Sequence, residues 1–148
     1  MIDHITLHVN DIEKSKAFYM TALKPFGYEL IHEFDDWKLA GFGTKAKAML
    51  WVHGTGATHK AHIALMAKDA NAVRAFHKAA LKAGATDNGA PGIRKNYSAG
   101  YYAAFILDPD GHNIEAVFHD KTKMLKAKPK AKPKVKAKPM AKGKAKKK

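Results

Sequence analysis

The feature that most constrains this chain is an internal repeat. Shifted by 58 residues, positions 4–24 lie over 62–82 without a gap. His4, Ile5, Leu7, Asp11, Ala17, Phe18, Ala22, Leu23 and Lys24 meet His62, Ile63, Leu65, Asp69, Ala75, Phe76, Ala80, Leu81 and Lys82. Nine identities in 21 positions make the body two copies of one supersecondary unit. At 148 residues the chain has room for one domain built of two such modules, and none for a large multidomain enzyme.

Each copy can be read locally. Residues 2–9 alternate Ile5, Leu7 and Val9 with His4, Thr6 and His8, the period of a strand with one buried face. Asn10 and Glu13 make a capping box that opens a helix ending before Pro25. Strands are expected over 28–34, 37–42 and 47–53. The second copy predicts a strand over 61–67, a helix over 69–83 closed by Gly84, and a weak strand near Ala85. Better strands follow over 100–107 and 112–118, joined by the Asp-Pro-Asp-Gly turn at 108–111. The order is βαβββ twice, an α+β class in which the two modules, about 1–56 and 60–119, form a cupped mixed sheet within a domain over 1–120.

Charge divides the chain again. Residues 121–148 hold 14 Lys and no acid, whereas residues 1–120 hold 13 basic and 13 acidic groups. Repelling lysines with Pro129, Pro133 and Pro139 bury no apolar surface, so 121–148 reads as a disordered, extended Lys/Ala/Pro tail. The chain has no Cys, hence no disulfide frame and no thiolate ligand, which fits a reducing compartment. The longest apolar run, 101–107, is far below the roughly 20 residues a spanning helix needs. With no export signal at its start, the chain is expected to work in the cytoplasm, away from membranes.

The opening Asp-His-Ile-Thr-Leu-His-Val, the His-Ile-Ala-Leu at 62–65 and the closing Tyr-Tyr-Ala-Ala-Phe-Ile-Leu-Asp-Pro-Asp-Gly-His-Asn-Ile-Glu resemble the vicinal oxygen chelate superfamily. That superfamily comprises glyoxalase I, bleomycin-resistance proteins and extradiol dioxygenases. The resemblance covers residues 1–120 and implies a cup that holds a divalent metal, here Fe, Mn, Ni or Zn. Carried over residue by residue, the implied ligands are His4, His62 and Glu115. The fourth ligand of the glyoxalase pattern falls on Leu50, or on Trp51 if the register slips, so the resemblance implies a three-ligand, open site. Three protein ligands on one face of an octahedral ion leave adjacent positions for a chelating substrate and for water or dioxygen. The dioxygenase pattern also has a Tyr and a His where this chain has Phe105 and Asn96.

The other candidates follow from position. Glu115 is the expected proton-transfer group, with His8, Tyr101 and Tyr102 as further acid–base candidates. His8 shares a strand face with His4, but four residues at roughly 3.3 Å each put it about 13 Å away, too far to share the ion. The segment 84–100 reads as a rim loop, where Arg94, Asn96 and Tyr97 meet an anionic or polar substrate beside Trp51. His112 and His119 are expected to be exposed, and His32, His53, His59 and His77 have no motif around them.

The reading is a metal-dependent enzyme acting on a small substrate that chelates the ion through neighbouring oxygens, with glyoxalase-like isomerisation slightly ahead. The alternatives are extradiol-type ring cleavage and a non-catalytic, bleomycin-resistance-like binding protein. Open sheet edges predict a homodimer. The tail predicts non-specific binding of nucleic acid or another polyanion, with steep salt dependence and no base readout. Truncation after Asp120 is expected to abolish DNA retardation in a gel while leaving the body's chemistry intact; a truncated body that still retards DNA at physiological salt removes the tail as the cause.

Overall fold

The computed structural model describes residues 2–122, so the tail expectation over 121–148 lies, but for its first two residues, outside the described residues. The first half folds as β1 (Ile5–His8), α1 (Ile12–Ala22), a 3-10 turn (Lys24–Phe26), β2 (Glu29–Phe34), a second 3-10 turn (Asp35–Trp37), β3 (Leu39–Thr44) and β4 (Lys47–His53). The second repeats the pattern with β5 (His62–Met66), α2 (Ala70–Lys82), β6 (Thr86–Ile93), β7 (Tyr101–Leu107) and β8 (Asn113–His119). The strands make two four-stranded sheets, ordered β1-β4-β3-β2 and β5-β8-β7-β6. In each, the first strand pairs parallel with the last and the other neighbours are antiparallel. The α+β class and the doubled βαβββ order hold. No helix among the described residues is long and apolar enough to cross a membrane.

Alternation sets which face of each sheet is buried. Ala48, Leu50 and Val52 of β4 are buried, while Lys47 and Met49 are exposed. Ala104, Ile106, Ile114 and Ala116 do the same in the second sheet. These inner faces join Phe18, Tyr19 and Leu23 from the first module and Val73, Phe76 and Ala80 from α2 in one core. Phe26 stacks on Phe76 at 5.3 Å, helping to join the modules.

The repeated aspartates are helix caps. The Asp11 carboxylate accepts the Lys14 N–H at 3.0 Å, and Asp69 accepts the Ala72 N–H at 2.8 Å. The first helix therefore starts one residue later than the capping-box reading. Asn10 instead accepts the Ala57 N–H and donates through its backbone and side chain to Asp110.

The 108–112 turn is a latch between the modules. Asp110 accepts from Asn10 and from Ser15 Oγ, while Asp108 accepts the buried Tyr19 hydroxyl at 2.6 Å. His112, expected to be exposed, is 1% exposed. Its Nδ1 accepts the Ala61 N–H and its Nε2 bonds the His8 carbonyl, both at 3.0 Å. Nδ1 is thus the unprotonated nitrogen, and Nε2–H donates. His119, also expected to be exposed, is half-buried with its ring edge-on to Tyr101 at 5.0 Å.

Two further expectations are corrected. The segment read as a rim loop contains the eight-residue strand β6, irregularly paired to β7. Pro91 is tolerated there because β6 lies at the sheet edge, where a missing N–H costs no central ladder bond. The ladders also fix the repeat register: Ile5 pairs with Leu50 as Ile63 pairs with Ile114, and Thr6 with Trp51 as Ala64 with Glu115. Trp51, not Leu50, is therefore the counterpart of Glu115.

Two stability outcomes follow. His112→Ala strips a buried N–H of its acceptor and is expected to cost roughly 3 kcal/mol in denaturant unfolding, against about zero for the exposed control His59→Ala. Leu50→Glu puts a carboxylate at a position 1% exposed inside the core. It should cost about 3 kcal/mol or more, whereas Trp51→Glu, on the outer face, should cost clearly less in the same measurement.

Candidate functional site

The outer face of the second sheet holds the cluster richest in chemistry. Glu115 sits at the centre of β8, between Ala64 of β5 and Phe105 of β7, and is 2% exposed. A carboxylate so enclosed needs partners, and it has two. The Tyr101 hydroxyl donates to Oε1 at 2.6 Å, and His62 Nε2 lies 3.3 Å from Oε2. Burial, then the hydrogen bond to Glu115, pushes the Tyr101 hydroxyl up to about 12, so it remains a proton donor across the neutral range. The His62 ring stacks on Phe105 at 6.3 Å.

Around this cluster is a cleft of about 630 Å³, lined by His62, Asn88, Arg94, Tyr97, Tyr101 and Glu115 among others. Arg94 lies over the Phe105 ring at 5.1 Å, and its Nη2 donates to the carbonyls of Ala90 and Ala103. Gly89 makes this packing possible: a Cβ there would stand 3.0 Å from Phe105 and 3.3 Å from Arg94 Nη2.

The structure thus brings together five of the expected residues: His62, Glu115, Tyr101, Arg94 and Tyr97. It leaves the others apart. Tyr102 points to the helix side of β7, where its hydroxyl accepts from Arg74 at 3.0 Å, because neighbouring residues of a strand face opposite ways. Asn96 is exposed on the turn after Arg94 and is not on the cleft wall. His8 and Trp51 lie on the first sheet, where His8 Nδ1 meets Thr55 Oγ1 at 2.7 Å. Sequence reasoning missed Asn88 and Asn113, which bond each other at 3.1 Å on the cleft wall. Asn113 was findable, since it stands two residues before Glu115 and so shares its face.

His4 does not join the pair. It is exposed, and its Nδ1 meets Asp3 Oδ1 at 2.8 Å; this contact, with Lys47, holds the Asp3 carboxyl below its ordinary value. His4 and His62 both line a second cleft of about 420 Å³, but Glu115 is not on it. Among the described residues, no three His, Asp or Glu side chains gather as a metal site. The expected three-ligand centre is not assembled among the described residues of one chain, since His4 lies apart from Glu115. The pair itself suits an ion: two donors bound at right angles with bonds of about 2.1 Å stand about 3.0 Å apart, close to the 3.3 Å between Nε2 and Oε2.

The equivalent face of the first sheet carries rings. Trp51 and His32 stack at 5.7 Å and 2°, Phe34 and Trp51 at 6.4 Å, and Phe34 and Trp37 at 5.6 Å. Gly41 leaves the space under the indole, since a Cβ there would come within 2.8 Å of Trp51.

Comparison with known proteins agrees with this geometry. A family model described as Glyoxalase/Bleomycin resistance protein/Dioxygenase superfamily matches residues 1–116. A glyoxalase/bleomycin resistance protein from Albidiferax ferrireducens T118 is 27% identical with a TM-score of 0.66, over 78% of this chain and 96% of that one. A lactoylglutathione lyase from Agrobacterium tumefaciens shares the fold at 20% identity and a TM-score of 0.61, over 80% and 92%. Glyoxalase I from Zea mays, at 25% identity and a TM-score of 0.60, is covered over 47% of its length by 84% of this chain. No curated protein matches the sequence. With the doubled βαβββ fold, the closing motif and a family match over 1–116, the chain belongs to the glyoxalase/bleomycin resistance protein/dioxygenase superfamily.

Proposed function

We propose that this protein is a metal-dependent enzyme acting on a small molecule that offers two neighbouring oxygens, with glyoxalase-like proton transfer ahead of ring cleavage. The observation supporting it is the buried Glu115 with an imidazole at 3.3 Å and a hydroxyl at 2.6 Å. When bound, a divalent ion (Fe, Mn, Ni or Zn) supplies a Lewis acid that polarises the substrate oxygens. His62 and Glu115 would hold it, and Tyr101 fixes Oε1 so that Oε2 faces His62. Glu115 is also the group placed to move a proton. The third ligand in this reading is His4 of a second copy. The edge strands β1 and β5 have one side without a strand partner among the described residues, and a homodimer gives both a cover.

Two specific observations keep other readings in view. The Tyr101 hydroxyl on Glu115 restores, from four residues earlier on β7, a phenol near the place where Phe105 stands, which favours dioxygenase-like proton transfer. The ring-covered first sheet favours a binding protein for a small aromatic molecule.

Metal content after supply of each of the four ions and dialysis tests the reading. Wild type should retain about one ion per chain, and His4→Ala, His62→Ala and Glu115→Gln should each lose it with the fold intact. Mixed and refolded His4→Ala and Glu115→Gln chains should recover about a quarter of the wild-type content, because half of the dimers are mixed and each rebuilds one of two sites. Wild type holding under a tenth of an ion leaves the binding-protein reading in its place; retention by a purely monomeric protein removes the shared site.

A further inference from the structure

Arg94 stands out in the cleft because its charge has no ion-pair partner among the described residues. Its Nη2 is occupied by two neutral carbonyls, Ala90 at 2.6 Å and Ala103 at 3.2 Å. Its Nε is buried without a partner. Asp87 feels the guanidinium charge, but its Oδ1 is engaged by the Gly89 N–H and by His77, and it forms no ion pair to Arg94 among the described residues. Among the described residues Nη1 makes no hydrogen bond, and Arg94 lines the cleft, so Nη1 is the edge left for a ligand. A half-buried guanidinium satisfied only by carbonyls lacks the Coulomb compensation that normally offsets its desolvation. The guanidinium lies against the Phe105 face, in space that the bare Gly89 leaves free.

The rest of the cleft wall deepens the point. Asn88, Asn113 and Tyr97 are neutral, and Glu115 is already engaged by Tyr101 and His62. A divalent ion on Glu115 leaves the cleft with an excess of positive charge. A neutral substrate leaves that excess standing; an anionic one reduces it, with one carboxylate oxygen on Arg94 and the other, beside its neighbouring oxygen, toward the ion.

We infer that the substrate carries a carboxylate that binds Arg94 Nη1, which makes it a small 2-oxo or 2-hydroxy acid rather than an uncharged carbonyl compound. The inference rests on the reading of this cleft as the substrate cleft, and deepens it by assigning the substrate's charge. Arg94 acts as a specificity residue: a guanidinium–carboxylate hydrogen bond in a partly dry site is among the stronger polar contacts and selects strongly against the uncharged analogue.

The test compares phenylglyoxylate with its methyl ester, which share the two neighbouring oxygens and differ in charge. Both are titrated calorimetrically into full-length protein, once with Zn(II) supplied and once without. The acid should bind at least about tenfold tighter than the ester at low salt, and the ratio should shrink as salt is raised. In the arm without Zn(II), Arg94→Gln should bring the ratio to about one, and Arg94→Lys should restore part of it; Zn(II) content in the other arm should be unchanged. Inorganic phosphate should compete weakly; phosphate competing as well as the acid makes the site a general oxyanion site and overturns the carboxylate assignment. Equal binding of acid and ester by wild type, or a preference surviving in Arg94→Gln without Zn(II), overturns the inference. Should Arg94→Gln fail to fold, the wild-type ratio, its salt dependence and Arg94→Lys decide. An acid preference in protein that retains no Zn(II) upholds Arg94 and removes the metal reading, so the two failures are distinguishable.

Discussion

The turn at 108–112 is the contact on which the rest of the structure depends. From one short segment, Asp108 takes the Tyr19 hydroxyl, Asp110 takes Asn10 and Ser15, and His112 bonds the backbone at Ala61 and His8. These partners lie in both modules, and some are a hundred residues away. The Tyr19–Asp108 bond is buried and the His112 bonds part-buried, so their loss leaves orphaned groups, whereas the Asn10–Asp110 bonds are exposed. Burial and the neighbouring Asp108 hold the Tyr19 hydroxyl well above its ordinary value, so its proton stays in place. Because His112 stands three residues before Glu115, the same latch fixes where β8 begins and hence where its carboxylate lies.

Duplication supplied two similar backbones, and side chains at matched positions then diverged. Glu115 faces Phe105 across the ladder in the second sheet; Trp51 faces Gly41 in the first. In one case the neighbouring strand contributes the ring and the last strand the carboxylate. In the other the last strand contributes the ring and its neighbour steps back to a glycine. The second sheet became a polar, titratable face, and the first a ring-covered one.

Much of this was legible in the sequence, for identifiable reasons. The repeat exposed Asp11 and Asp69 as equivalent, and both cap helices because a carboxylate at that position satisfies an orphan N–H. Glu115 was legible because a charge interrupts an apolar strand. β6 was hidden, since its Asp-Asn-Gly-Ala-Pro-Gly composition has no alternation and its pairing is supplied by β7. Leu50 and Trp51 both stood open as the counterpart of Glu115, because the offset between copies is 58 at the first strands and 64 at the last, so the first-strand repeat does not fix the last-strand register. Tyr102 was indistinguishable from Tyr101 until the face of β7 was known. His4 was legible as the partner of His62, but the distance between two sheets that share no ladder is not written in either copy.

The placement of the rings has an optical consequence. The chain has two tryptophans, Trp37 and Trp51, and both belong to the ring stack on the first sheet. One indole lies against an imidazole and the other is open to water. Indole emission therefore reports on that sheet alone, and the half of the molecule with Glu115 is dark. A small molecule seated at Glu115 changes the emission directly only where the ring-covered face of a neighbouring chain closes over it, so the protein carries its own optical reporter of whether the two faces meet.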